Sequence, residues 1–143
     1  MKQYQVKVKL ERIVDDNHKI VTEEYFVGAD TFGMAEAMVM EKLFNQTHHY
    51  EITAIALKGY EAVISEDNEH TADKWFEVKA EIMSLNSRNG KEEKTTALYL
   101  VNAASTKDAE RVYDVFATLS DTEVKRIAET KVVDVIDYPI VVL

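Results

Sequence analysis

The chain contains no cysteine, one proline and only four glycines among its 143 residues. Without cysteine there are no disulfides, no thiolate metal ligands and no cysteine nucleophile. The shortage of proline and glycine points to long regular elements rather than a loop-rich fold. No apolar run approaches the roughly 18 residues that a membrane-spanning helix needs. The N-terminus MKQYQVKVKLER alternates too regularly for a signal peptide, so a cytoplasmic protein without a membrane role is expected. Positive charge is also scarce: 17 Lys and Arg stand against 26 Asp and Glu, for a net charge of −9. That balance weighs against a protein held to duplex DNA mainly by phosphate contacts.

What is present is a globular composition, 46% apolar and 30% charged, of a length that fits one domain or two very small ones. Tyr4, Val6, Val8 and Leu10 alternate with Gln5, Lys7 and Lys9, the period of a half-buried strand. Asp15-Asp16-Asn17-His18 has turn chemistry, and Lys19 to Val27 returns as the second strand of a hairpin. Gly28 offers a left-handed backbone, and Asp30 or Thr31 a helix cap. Ala35, Met38, Val39 and Leu43 then make one apolar helical stripe. Glu51 to Ile64 reads as strand, bent or broken at Gly59.

The same order recurs. Phe76 to Ile82 alternates, Asn86 to Gly90 turns, and Lys94 to Val101 returns. Asn102 stands where Gly28 stood, and Ser105 with Asp108 resembles a capping box. Ala109, Val112, Tyr113, Phe116 and Ala117 repeat the stripe, and Thr122 to Ile136 closes the series. Val6-Lys7 and Val78-Lys79 lie 72 residues apart, as do Ile55-Ala56 and Ile127-Ala128. Between them Tyr25, Val27, Ala29, Ala35 and Glu36 match residues 74 further on. Matches in this order, with length changes confined to turns, predict a tandem duplication.

The expected fold is therefore α+β: two β-β-α-β repeats packed as one pseudo-twofold, two-lobed domain with mainly antiparallel sheet and two helices. The repeats span 1–64 and 75–137, joined by an acidic linker at 65–74 and followed by an apolar tail at 138–143. The tail is apolar enough to add an edge strand or dock on a subunit.

This order of residues carries a resemblance. An apolar-x-Val-Lys strand leads through a hairpin to Tyr-x-Val-x-Ala, an Ala-Glu helix and an Ile-x-x-Ile-Ala strand. With Trp75-Phe76-Glu77-Val78-Lys79 opening the second half, the chain resembles a small domain-of-unknown-function family of Bacteroidales and their crAss-like phages. The resemblance covers nearly the whole chain and implies a phage or mobile-element setting. It implies no activity and no site residues.

Constellations that could carry chemistry are weak. His48-His49 with Glu51 tempts as a metal site, but adjacent histidines diverge on any regular element. Glu66-Asp67-Asn68-Glu69-His70 with Asp73 lacks the spacing, central glycine and final glutamate of a calcium loop, and reads as an acidic linker. Gly28 and Gly33 flank a helix start without the Lys-Ser/Thr of a phosphate-binding loop, and no nucleophile elbow is present. The expectation is a non-enzymatic protein with no catalytic residue, metal or cofactor.

The sharper alternative is a sheet surface for single-stranded DNA or RNA. Lys7, Lys9, Arg12 and Lys79 would supply cations, with Tyr25, Trp75 and Tyr99 as stacking aromatics and Trp75 exposed. The competing expectation is an accessory or inhibitory protein that binds another protein, or itself as a homodimer, through an acidic surface.

Overall fold

A computed structural model describes residues 1–47, 49–67, 72–118 and 121–143. The fold is α+β and mostly sheet. Its elements run β1 (Lys2–Val14), β2 (Asn17–Ala29), α1 (Phe32–Phe44), β3 (Tyr50–Lys58), β4 (Ala62–Ser65), β5 (Lys74–Leu85), β6 (Glu92–Ala103), α2 (Thr106–Phe116), β7 (Thr122–Glu129), β8 (Val132–Ile136) and β9 (Val141–Val142). No described helix is long and apolar enough to cross a membrane.

The chain divides into two compact units. One comprises Met1–Gly59 and Lys131–Tyr138, the other Tyr60–Thr130 and Pro139–Leu143. The sheet of the first unit has the order β3-β1-β2-β8, and that of the second β7-β5-β6-β4-β9. The strand expected over Glu51–Ile64, bent or broken at Gly59, is two strands, and they lie in different sheets. β3 pairs antiparallel with β1, whereas β4 crosses to pair parallel with β6. The segment Thr122–Ile136 divides likewise: β7 pairs with β5, and β8 pairs parallel with β2.

In the first unit, β1 and β2 form a long hairpin whose two-residue turn, Asp15-Asp16, has φ of 51° and 63° at its two positions. Two successive left-handed residues match the twist of the flanking strands, and Asp tolerates that region better than most side chains. Alternation along β1 buries Tyr4, Val6, Val8 and Leu10 on one face, as the sequence predicts. Helix α1 begins where the Thr31 hydroxyl accepts the Met34 amide at 3.1 Å. It lays Ala35, Val39 and Leu43 on the same core, and Met38, Tyr50, Ile52, Ile55 and Ile136 pack around the margin.

In the second unit, Phe76, Val78 and Ala80 of β5 face Ala109, Val112 and Tyr113 of α2 and Ala117 at its C-cap, across a core that also holds Ile64 of β4. The Ser105 hydroxyl accepts the Asp108 amide at 3.1 Å, and the Asp108 carboxylate accepts the Ala104 amide at 3.0 Å. The reciprocal pair works as a capping box, with the carboxylate reaching one residue before the cap. The β5–β6 hairpin turns through residues 86–91, with Gly90 left-handed at φ 66°. The C-terminal tail adds an edge strand: Val141 and Val142 pair parallel with Ile64 and Ser65.

Two expectations about special backbone positions are corrected. Neither Gly28 nor Asn102 is left-handed; the described non-glycine residues with positive φ are Asp15, Asp16 and Asp137. Gly28 is needed for close approach instead, because a Cβ there would lie 2.3 Å from the Asp137 carbonyl oxygen. Asn102 is buried and donates through its amide to the carbonyls of Ala72 and Lys74, both at 3.0 Å.

Candidate functional site

The residues predicted for a nucleic-acid surface separate by burial. Tyr25 is 1% exposed, Trp75 5% and Tyr99 6%. The expectation of an exposed Trp75 is therefore corrected. Tyr25–Ala29 in β2 and Tyr99–Ala103 in β6 are buried without alternation, the mark of strands covered on both faces. Both acquire a parallel neighbour on their outer edge, β8 or β4, that a hairpin pattern does not announce.

Tyr25 packs with the α1 core, and its hydroxyl donates to Glu23 at 3.3 Å. Burial, reinforced by the Glu23 charge, pushes its ionisation up to about 12. Tyr99 stacks obliquely on Tyr113, with ring centroids 5.0 Å apart, and desolvation likewise raises it to about 12. The backbone carbonyl of Trp75 accepts both the amide and the hydroxyl of Thr130. These are core and framework roles.

Among the cations, Lys7 and Lys9 stand exposed on the face of β1 away from α1, and Lys79 on the corresponding face of β5. Lys7 is directly opposite Glu24 across the β1–β2 ladder, and Lys9 is opposite Glu51 on β3. Arg12 is engaged: its guanidinium donates to both Glu23 oxygens, at 2.9 and 3.2 Å, and to Gln46 at 3.1 Å. The hydrogen bonds it donates to Glu23 hold its pKa above the ordinary arginine value. In the second unit Arg126 pairs with Glu77 at 3.1 Å and Lys94 with Glu81 at 3.4 Å. Each sheet face thus carries cations interleaved with carboxylates instead of a run of one sign.

The residues weighed and set aside above as a metal site are described only in part. His48 lies outside the described residues; His49 is exposed, and Glu51 projects from β3. Among the described residues no group of three His, Asp or Glu is placed to hold a metal ion. Within the acidic linker, residues 68–71 also lie outside the description. A shallow cleft of about 310 Å³ runs between Lys9, Glu11, Ile20, His49 and Tyr50. A wider one of about 720 Å³ follows the outer face of α2 past Lys107, Asp108, Arg111, Asp114 and Val115. There Arg111 is held by Glu66 at 2.6 Å and Asp108 at 2.7 Å, so its guanidinium is already committed to carboxylates.

One surface feature went unread in the sequence. Helix α1 exposes Met34, Met40 and Phe44 at 48%, 41% and 67%. The signal was available: FGMAEAMVMEKLF has only three charged residues, so an apolar stripe turned inward leaves apolar side chains outside as well.

A family model described as "Domain of unknown function (DUF4494)" matches residues 2–138. No curated protein matches the chain, and no solved structure does.

Proposed function

Since this chain belongs to the DUF4494 family, a domain of unknown function, we propose from its own surface that it is a small non-enzymatic protein that binds other proteins. The observation that carries this reading is the distribution of its aromatic side chains. Tyr25 and Tyr99 are spent in the two cores and Trp75 is buried, while Met40 and Phe44 stand outside on a helix. Stacking platforms for bases require the reverse, whereas exposed apolar side chains rimmed by charge suit a protein partner. The non-enzymatic part rests on the sequence, which carries no nucleophile elbow or phosphate loop.

The test is affinity capture on the purified full chain, with and without nuclease, alongside light scattering of the chain alone. Stoichiometric recovery of one protein, unaffected by nuclease, supports the reading. Recovery that vanishes with nuclease refutes it.

The single-stranded nucleic-acid reading keeps one observation in its favour, the exposed Lys7, Lys9 and Lys79. Fluorescence anisotropy with single-stranded DNA and RNA at low salt measures it directly, and a Lys7→Gln, Lys79→Gln variant with unchanged binding removes it.

We also propose that the two units descend from a tandem copy. The registers support this in detail. Val6 opposes Tyr25 and Ile55, as Val78 opposes Tyr99 and Ile127. The register shifts fall after Lys7 and after Lys79. Val63 opposes Leu100 as Val135 opposes Phe26. The Bacteroidales phage setting joins this proposal on the strength of the sequence resemblance, and a cytoplasmic location on the absence of cysteine and of a long apolar run.

A further inference from the structure

Helix α1 differs from a surface helix of ordinary pattern. Its thirteen residues hold three of the chain's five methionines, Met34, Met38 and Met40, with Glu36, Glu41 and Lys42 as the charged members. Ala35, Val39 and Leu43 turn inward. At about 3.6 residues per turn, Gly33, Ala37, Met40 and Phe44 fall on one stripe of the opposite side, and all four are exposed. Glu36 borders that stripe on one flank and Glu41 on the other, both exposed. A Cβ placed on Gly33 would meet nothing within 4 Å, so the stripe opens into free space at its first turn. The outward face of α2, by contrast, presents Lys107, Glu110, Arg111 and Asp114.

We propose that the outward face of α1 binds a basic amphipathic helix of another protein. The proposal rests on the protein-binding reading above and adds the site and the chemistry of the partner. Charge complementarity selects the partner. Two glutamates flank the apolar stripe on a chain of net charge −9, so lysines and arginines beside the partner's apolar ridge gain an opposite charge on either flank. A second copy of this chain fits worse. A twofold pairing of α1 with itself would bring the glutamate-bearing flanks of one copy against those of the other, and like charges facing across an interface oppose association. The stripe also has the right relief. Gly33 and Ala37 let a bulky side chain approach the helix, and packed helices need axes about 8–10 Å apart. Met40 is unbranched and polarisable, so it can re-pack around varied apolar partners. The partner would be read through anchors at i, i+3 or i+4, and i+7.

A fluorescently labelled amphipathic helical peptide of Leu and Lys, titrated with the full chain, tests this by anisotropy. The matched probe replaces every Lys with Glu. The proposal expects the Leu/Lys peptide to bind and the Leu/Glu peptide not to. Met40→Ala with Phe44→Ala should weaken binding at least about tenfold, the scale of a lost interface anchor. Glu36→Gln with Glu41→Gln should weaken it and flatten its salt dependence. All four positions are exposed, and circular dichroism melts matching wild type show that the variants fold. Glu110→Gln on α2 should change nothing. Equal affinity for both peptides, or no effect of the Met40 and Phe44 changes, overturns the proposal. So does a wild-type dimer that dissociates on Phe44→Ala, which would give the face to a second copy. If a captured protein partner is indifferent to these α1 variants, the site falls and the protein-binding reading stands. If no protein is captured, the reading itself falls.

Discussion

Ile64→Ala tests the crossing of strands between the two sheets. Ile64 follows β3 closely in sequence, yet its side chain is fully buried in the core built by Phe76, Val101, Val112 and Tyr113. The substitution removes three carbons, a transfer loss of about 2.4 kcal/mol at roughly 0.8 kcal/mol per buried methylene. The cavity left behind adds to this, and Ile→Ala changes in cores cost about 2–5 kcal/mol. We expect a loss of about 3 kcal/mol in urea unfolding followed by circular dichroism. Leu57→Ala, in β3 and 54% exposed, should stay within about 0.5 kcal/mol of wild type. Hydrogen exchange locates the damage: amides of β5 and β6 should lose protection first, ahead of those in β1 and β2. A loss below about 1 kcal/mol, or lost protection confined to the β1–β2 hairpin, would refute the assignment of β4 to the second sheet.

Gly28→Ala should destabilise by about 1–3 kcal/mol, the usual cost of overpacking, because the new methyl meets the Asp137 backbone carbonyl; Gly33→Ala, with open space around it, should stabilise α1 by a fraction of that in thermal melts. Ultraviolet titration should find Tyr25 and Tyr99 un-ionised until about pH 12. Because both are raised in the folded state, the stability they contribute is complete below the ordinary tyrosine value and is lost as pH climbs from there through the raised value of about 12; Tyr25→Phe should flatten that alkaline loss. Asp108 is held below the usual carboxylate value, first by the Ala104 amide and then by Arg111. Its contribution is present above the unfolded value and lost as pH falls through the lowered one, so Asp108→Asn should remove that acid-side decline, and Ser105→Ala should cost about 1 kcal/mol at neutral pH.

Period-two alternation placed β1 and β5, because a half-buried strand writes its inward face directly into the chain: Tyr4, Val6, Val8 and Leu10 are all inside; turn chemistry placed the return strands β2 and β6. Both helices and their caps were legible for the same kind of reason, local residues satisfying local amides. What alternation cannot encode is the partner of a strand. Val63 and Ile64 read as a continuation of β3, and nothing in their residue types reveals that Leu100 and Val101 stand beside them. The two tyrosines hide for another reason: Tyr25 stands opposite the inward-facing Val6 and Tyr99 opposite Val78, so both turn toward the cores that α1 and α2 cover. On α1, attention to the inward stripe hid the outward one, since an almost wholly apolar helix has two stripes to read.

The parallel pairing of β8 with β2 also sets a timetable. A ribosome finishes β2 at Ala29 but reaches Val132 only about a hundred codons later, which at about 5–20 residues per second is roughly 5–20 s. Throughout that interval the nascent hairpin presents an unclaimed edge bearing Tyr25, Phe26 and Val27. A chaperone or a neighbouring polysome product has that window in which to occupy it. The aspartates at the hairpin tip and Glu23 and Glu24 beside the open edge supply the negative charge that keeps such an edge from recruiting copies of itself.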